Sequence, residues 1–147
     1  VYVRGSKPDG TAWRVGVQDP QSSAGFVGVL SLTDAYAVTS GGYQRYFEEG
    51  GRIYHHILDP ATGFPVENGL ASVTIITDKS IDADGLSTAV FALGLKDGME
   101  FIERTPDVSA VFVTDDYKVY TSSEVSHYKF EVTDHRYILE EFQDGHR

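Results

Sequence analysis

Between residues 71 and 94 the hydrophobic pattern of this chain changes period, and that change limits what it can fold into. Ala71-Ser-Val-Thr-Ile-Ile-Thr77 is rich in β-branched side chains, which suit a pleated strand. Ala83, Leu86, Val90 and Leu93 then recur at spacings of three and four, which puts them on one face of a helix. Gly94 is a stop for that helix, and residues 97–104 predict a second, short one ended by Pro106. Elsewhere strand signals dominate, at residues 1–4, 12–17, 26–32, 35–38, 43–47, 52–58, 109–114, 118–121 and 130–132. Short turns such as Lys7-Pro-Asp-Gly10 and Asp115-Asp116 join them. The expected class is α+β, a mostly antiparallel sheet with one main and one short helix. Residues 1–133 form the expected domain, and residues 134–147 a polar, loosely held tail. Trp13, alternating with Val15 and Val17, reads as core, and Glu48-Glu49 as a solvated turn.

A chain of 147 residues is long enough for one domain with a real core. Its net charge of −10 argues against nucleic acid as a partner, because phosphate backbones need clustered Lys and Arg. The absence of cysteine excludes thiol chemistry, disulfides and Cys-type zinc sites. No apolar run approaches the ~18 residues needed to span a bilayer. The sequence begins at Val1 rather than Met, so the missing signal peptide says nothing about compartment.

Three stretches can carry chemistry. In Arg52-Ile-Tyr-His-His-Ile-Leu-Asp-Pro-Ala-Thr-Gly-Phe-Pro-Val66, two histidines precede a turn built from Asp59, Pro60 and Gly63. On a strand His55 and His56 point to opposite faces, so one faces the core or a ligand and the other solvent. Asp84 and Thr88, four apart in Asp82-Ala-Asp-Gly-Leu-Ser-Thr88, share one helix face. A carboxylate and a hydroxyl are hard oxygen donors that suit Mg²⁺. The plainer alternative is a helix-capping Asp and an exposed Thr. Thr39-Ser-Gly-Gly-Tyr43 could form a backbone anion nest, or simply a Gly-rich connection. His127, His135 and His146 carry no assigned role.

Taken in order, four runs resemble the FAD:protein FMN transferases, the ApbE-type flavin transferases. They are Gly10-Thr-Ala-Trp-Arg-Val-Gly-Val-Gln-Asp-Pro20, Thr39-Ser-Gly-Gly-Tyr-Gln-Arg45, His55-His-Ile-Leu-Asp-Pro-Ala-Thr-Gly-Phe-Pro65, and Ala83-Asp-Gly-Leu-Ser-Thr-Ala89 followed by Phe91-Ala-Leu-Gly94. The resemblance covers residues 1 to 104 and implies the C-terminal half of that fold. It implies Asp84 and Thr88 as side-chain ligands of a Mg²⁺ on the FAD pyrophosphate, and His56 as the inward member of the histidine pair and a candidate general base. It implies that Ser40, Gly41, His56 and Ile57 line the FAD pocket. The implied reaction moves FMN from FAD to a Thr or Ser hydroxyl of an acceptor flavoprotein and releases AMP. Gly85 departs from the alanine usual after the metal Asp.

Family members are longer, and their N-terminal half supplies more of the pocket and a backbone-carbonyl metal ligand. The chain is therefore expected to be a C-terminal fragment, a cleavage product or a shortened homologue that needs that half. The resemblance also implies an extracytoplasmic location, in the periplasm or at the cell surface, with any membrane attachment through an N-terminal lipoprotein anchor outside this sequence. Sheet edges left uncovered predict a homodimer. The competing readings are a catalytically inactive flavin-nucleotide-binding or interaction module, and an unrelated α+β domain with Asp84 as a cap and His56 as a packed residue.

Overall fold

The run at residues 71–77 is buried on both faces because it lies at the centre of a sandwich. In the structure, a computed structural model, residues 1–43 and 46–143 are described, residues 52 and 53 by backbone alone. The strands are β1 (Tyr2–Val3), β2 (Trp13–Gln18), β3 (Phe26–Leu32), β4 (Ala35–Gly41), β5 (Tyr46–Glu49), β6 (Arg52–His55), β7 (Leu70–Thr77), β8 (Val108–Thr114), β9 (Lys118–Thr121), β10 (Glu131–Val132) and β11 (Ile138–Leu139). One helix, α1 (Ser80–Glu103), follows β7, and a 3-10 turn spans Ser123–Tyr128. The main sheet has the order β1-β4-β7-β8-β9-β11, and a smaller one the order β10-β3-β2. All pairings are antiparallel except that of β11 with β9. The α+β class and the mostly antiparallel sheet are as expected.

Every residue of β7 and β8 is buried, because α1 covers one face of the main sheet and the smaller sheet covers the other. Val73, Ile75, Ala110 and Phe112 pack under Val90, Phe91, Met99 and Ile102 of the helix. Ile76, Val111 and Val113 pack under Val17, Val27, Leu30 and Leu32. Strand β4 alternates between the layers, with Ala35 and Ala37 toward the small sheet and Tyr36 and Val38 toward the helix. The same parity turns Ser40 toward the helix.

The two helices expected on either side of Gly94 are both present within α1 and meet at a kink there. Gly94 has φ 84° and ψ −179°, a backbone that L side chains avoid. The Asn68 amide donates to the Phe91 carbonyl at 2.7 Å, satisfying one acceptor near the break.

Several expectations change. Trp13 is 39% exposed rather than core, because it opens β2, the edge strand of the small sheet. Glu48 and Glu49 end a strand, and Gly50-Gly51, with φ 61° and 79°, make the turn. Thr39 to Gly41 is strand, paired with Thr74, Val73 and Ser72, rather than a loop. The tail is not loose over its first half. β11 joins the main sheet, Tyr137 is 4% exposed, and Phe142 packs against the helix-side core. Residues 144–147, with His146, and residues 44 and 45, within the strand expected at 43–47, lie outside the described residues.

Candidate active site

The segment after β6 is held by its own side chains. Asp59 accepts the Ala61 N–H on its carboxylate and the Gly63 N–H on its carbonyl, each at 2.8 Å. The Asp59 N–H donates to the Phe64 carbonyl at 2.8 Å, and Gly63 sits at φ 73°. A bridge between Leu58 and Pro65 and a Val66 N–H to Ile57 carbonyl bond at 3.1 Å close the loop. The two histidines at its base therefore have a fixed mount.

His55 is the inward one, which corrects the expectation that His56 is, because the Val66 carbonyl and the Ile57 N–H hold the His55 ring. Its Nε2 lies 3.0 Å from the Val66 carbonyl, and its Nδ1 3.3 Å from the Ile57 N–H. A carbonyl only accepts and an amide N–H only donates, so the ring is the neutral Nε2–H tautomer. It also meets Phe91 edge-on at 5.9 Å. Both nitrogens are thereby committed to backbone, and His55 serves as a structural rivet. His56, next in the chain, is exposed, so the opposed faces expected of the pair are present. Ile57 is 3% exposed and packs in the core with Leu70, Val73 and Phe91. Its side chain anchors the turn in that core.

Across the sheet, Ser40 of β4 meets two hydroxyls of α1. Its Oγ is 2.8 Å from Ser87 Oγ and 3.2 Å from Thr88 Oγ1. Ser87 Oγ donates to the Asp84 carbonyl at 3.0 Å. Each hydroxyl has one proton, so the direction of the chain is fixed. Ser87 gives its proton to Asp84, so Ser40 must donate to Ser87, and Thr88 to Ser40. The lone pairs of Thr88, which is exposed, are left facing outward. Asp84 is exposed too, and its carboxylate has no hydrogen-bond or ion-pair partner among the described residues. It is not a cap either: Lys79 holds the N-cap position, and no side chain caps the helix.

This corner gives one carboxylate and one hydroxyl with free lone pairs, hard donors a helical turn apart. They fit part of the shell of Mg²⁺, which keeps several waters and substrate oxygens as its other ligands. No cluster of three or more His, Cys, Asp or Glu capable of holding a metal occurs among the described residues.

Gly41 and Gly42 are small for the protein's sake. A Cβ on Gly41 would lie 2.6 Å from the Tyr43 ring and 2.8 Å from the Ala71 carbonyl, and one on Gly42 would lie 3.0 Å from the His55 ring. Gly41 lets Tyr43 fold back on the strand, so its Cβ side is filled by protein rather than open to a ligand. Beside these residues opens a cleft of about 770 Å³. Tyr43, His55 and Phe91 line it, as do Pro20 and Gln21 from the β2–β3 loop and Asp115 from the β8–β9 turn. Burial and the neighbouring Asp116 push the Asp115 carboxyl above its ordinary value.

The structure thus brings Ser40, Asp84 and Thr88 to one corner and leaves His56 at the surface. Sequence reasoning passed over Ser87, Asn68 and Asp115. Ser87 had one signal: a polar residue at a buried position of the helix.

The fold defines the class first, an α+β domain whose central antiparallel sheet is covered by one helix and one smaller sheet. The chain belongs to the ApbE family, whose profile matches residues 1–112. It is 39% identical over 94% of its length to the FAD:protein FMN transferase of Treponema pallidum, and covers 38% of that protein. With the enzyme of the same name from Klebsiella pneumoniae it is 40% identical over 76% of its length, covering 35% of that protein. The ApbE protein of Thermotoga maritima superposes with a TM-score of 0.76 at 35% identity, over 86% of this chain and 41% of that one. The apo flavinyl transferase ApbE of Pseudomonas stutzeri gives 0.67 at 36% identity, over 85% of this chain and 39% of that one. The chain thus spans about two-fifths of the length of these relatives.

Proposed function

We propose that this chain forms the metal- and pyrophosphate-binding wall of an FAD:protein FMN transferase. The observation that carries the reading is the Ser40–Ser87–Thr88 hydroxyl chain, which turns the Thr88 lone pairs outward one helical turn from an uncommitted Asp84 carboxylate. The names borne by relatives at 39% and 40% identity supply the reaction class.

In this reading Asp84 and Thr88 hold Mg²⁺, Ser40 orients Thr88, and the Gly41–Tyr43 segment and the cleft beside it receive the flavin nucleotide. Bound there, the ion would supply charge neutralisation on the pyrophosphate. The acceptor's Thr or Ser oxygen forms a bond to the FMN phosphorus. The bond from that phosphorus to the bridging oxygen breaks, and AMP leaves with the bridging oxygen. His56, exposed on its fixed turn, takes the hydroxyl proton. The remaining wall of the site comes from the part of the relatives that this sequence does not match.

Mg²⁺-dependent FAD binding tests the reading, measured by flavin fluorescence with the N-terminal portion of such a relative supplied in trans. The expected result is binding that Mg²⁺ strengthens and that Asp84→Ala uncouples from Mg²⁺. FAD binding that ignores both Mg²⁺ and Asp84 would favour a flavin-binding module without transferase chemistry.

A further inference from the structure

The C-terminal segment crosses from one sheet of the sandwich to the other. β10 pairs with β3 in the small sheet, and β11 pairs with β9 in the main sheet. Between them, the Thr133 N–H bonds to the Val27 carbonyl at 3.0 Å, and the Ile138 N–H to the Tyr117 carbonyl at 3.0 Å. At the midpoint lies a buried carboxylate. Asp19, 1% exposed, accepts the Tyr137 hydroxyl on Oδ1 at 2.5 Å and an Arg136 N–H on Oδ2 at 2.5 Å. Arg136 is held in turn by Asp134, which its guanidinium keeps down to about 2.

Asp19 is also the hinge of the β2–β3 loop. Its Oδ1 accepts the Gln21 N–H at 2.8 Å, and its own N–H closes the loop on the Gly25 carbonyl at 3.0 Å. The next two residues, Pro20 and Gln21, form one rim of the cleft, and Leu70, Ala71 and Asp115 line the side that belongs to the main sheet. On that side the Asp115 N–H bonds to the Gly69 carbonyl at 3.0 Å.

We propose that residues 134–139 are a strap that sets the width of the cleft, with Arg136 and Tyr137 as positioning residues acting through Asp19 on Pro20 and Gln21. The two rims belong to different sheets, and packing between sheets alone leaves their separation soft. Two charge-assisted hydrogen bonds on a buried carboxylate fix it. The strap lies beyond the stretch that matches the family profile, which ends at residue 112. Its bearing on FAD rests on the proposed function; its bearing on the cleft does not.

Hydrogen exchange detected by NMR separates the two claims, on the chain itself and on Tyr137→Phe, Arg136→Gln and Ile102→Val, the last a core control remote from the strap. Both strap variants should speed exchange of the Gln21 amide and of the facing Leu70 and Asp115 amides by about tenfold, the scale of one lost charged hydrogen bond. The control, read at the temperature where its loss of stability matches theirs, should leave those three amides unchanged relative to the rest of the sheet. Faster exchange at Gln21 alone, or equally in the control, would overturn the strap. FAD should also bind the strap variants less tightly, with its Mg²⁺ dependence intact. Equal affinity would overturn the functional part. No FAD binding to the wild type with the N-terminal portion supplied would count against the proposed function and leave exchange to decide the strap.

Discussion

Ser40 and Thr88 stand 3.2 Å apart, oxygen to oxygen, across 48 residues of sequence. The contact joins the central sheet to the helix at the point where the helix turns two oxygen donors outward. Ser40→Ala should cost about 1 kcal/mol of stability, the usual net worth of such a bond, and should weaken the Mg²⁺ dependence of FAD binding. Thr88→Val keeps the shape and removes the lone pairs, so it should abolish that dependence while leaving the fold intact. Chemical denaturation and FAD titration with and without Mg²⁺ read the two effects separately.

Gly85 lies within α1, and a Cβ built there meets no heavy atom within 4 Å. Gly85→Ala should therefore raise stability, by up to about 1 kcal/mol. A lower melting temperature would mean that a side chain at this turn of the helix meets a neighbour.

The break at Gly94 makes an opposite prediction. Gly94→Ala forces a side chain into φ 84° and should destabilise by about 1–3 kcal/mol. Asn68→Ala should cost about 1–3 kcal/mol as well, because it strips the Phe91 carbonyl of its donor. If the two residues act as one unit, the double variant should lose less than the sum of the singles.

Stability should depend on acid through Asp19. Burial opposes its ionisation, but the hydrogen bonds from Tyr137, Gln21 and Arg136 outweigh burial and hold the carboxyl below the usual carboxylate range. A depressed folded-state value gives stability that is present above the unfolded carboxylate range. That stability is lost as pH falls from that range through the depressed value. Asp115 has the opposite sign: its raised value favours the protonated folded form, so its contribution weakens as pH rises. Acid titrations of melting temperature should therefore fall more steeply below the ordinary carboxylate range in the wild type than in Asp19→Asn. Asp115→Asn should be more stable than the wild type at neutral pH.

How far the sequence speaks differs from element to element. The strand at residues 71–77 and the helix after it were legible because burial on both faces and a period of 3.6 leave strong local traces. The Asp59–Gly63 turn was legible because its residues make their own hydrogen bonds. The packing of residues 134–139 was not, since the reason these polar residues are ordered is a carboxylate more than a hundred positions away. Trp13 misled because alternation marks a face and not how far along an edge strand cover extends. Of the candidate site, Asp84 and Thr88 could be paired by spacing alone. The roles of Ser87 and Ser40 depend on how β4 and α1 pack together. Strand parity opposed His55 to His56, but which one turned inward depended on the Val66 carbonyl.

The central claim is transfer, and mass spectrometry of an acceptor protein tests it most directly. The chain, the N-terminal portion of a relative, FAD, Mg²⁺ and a Thr-bearing acceptor are incubated together. A covalent FMN adduct on the acceptor threonine, with release of AMP, is the expected result, lost in Asp84→Ala and strongly reduced in His56→Ala. Transfer that proceeds unchanged in both variants would contradict it.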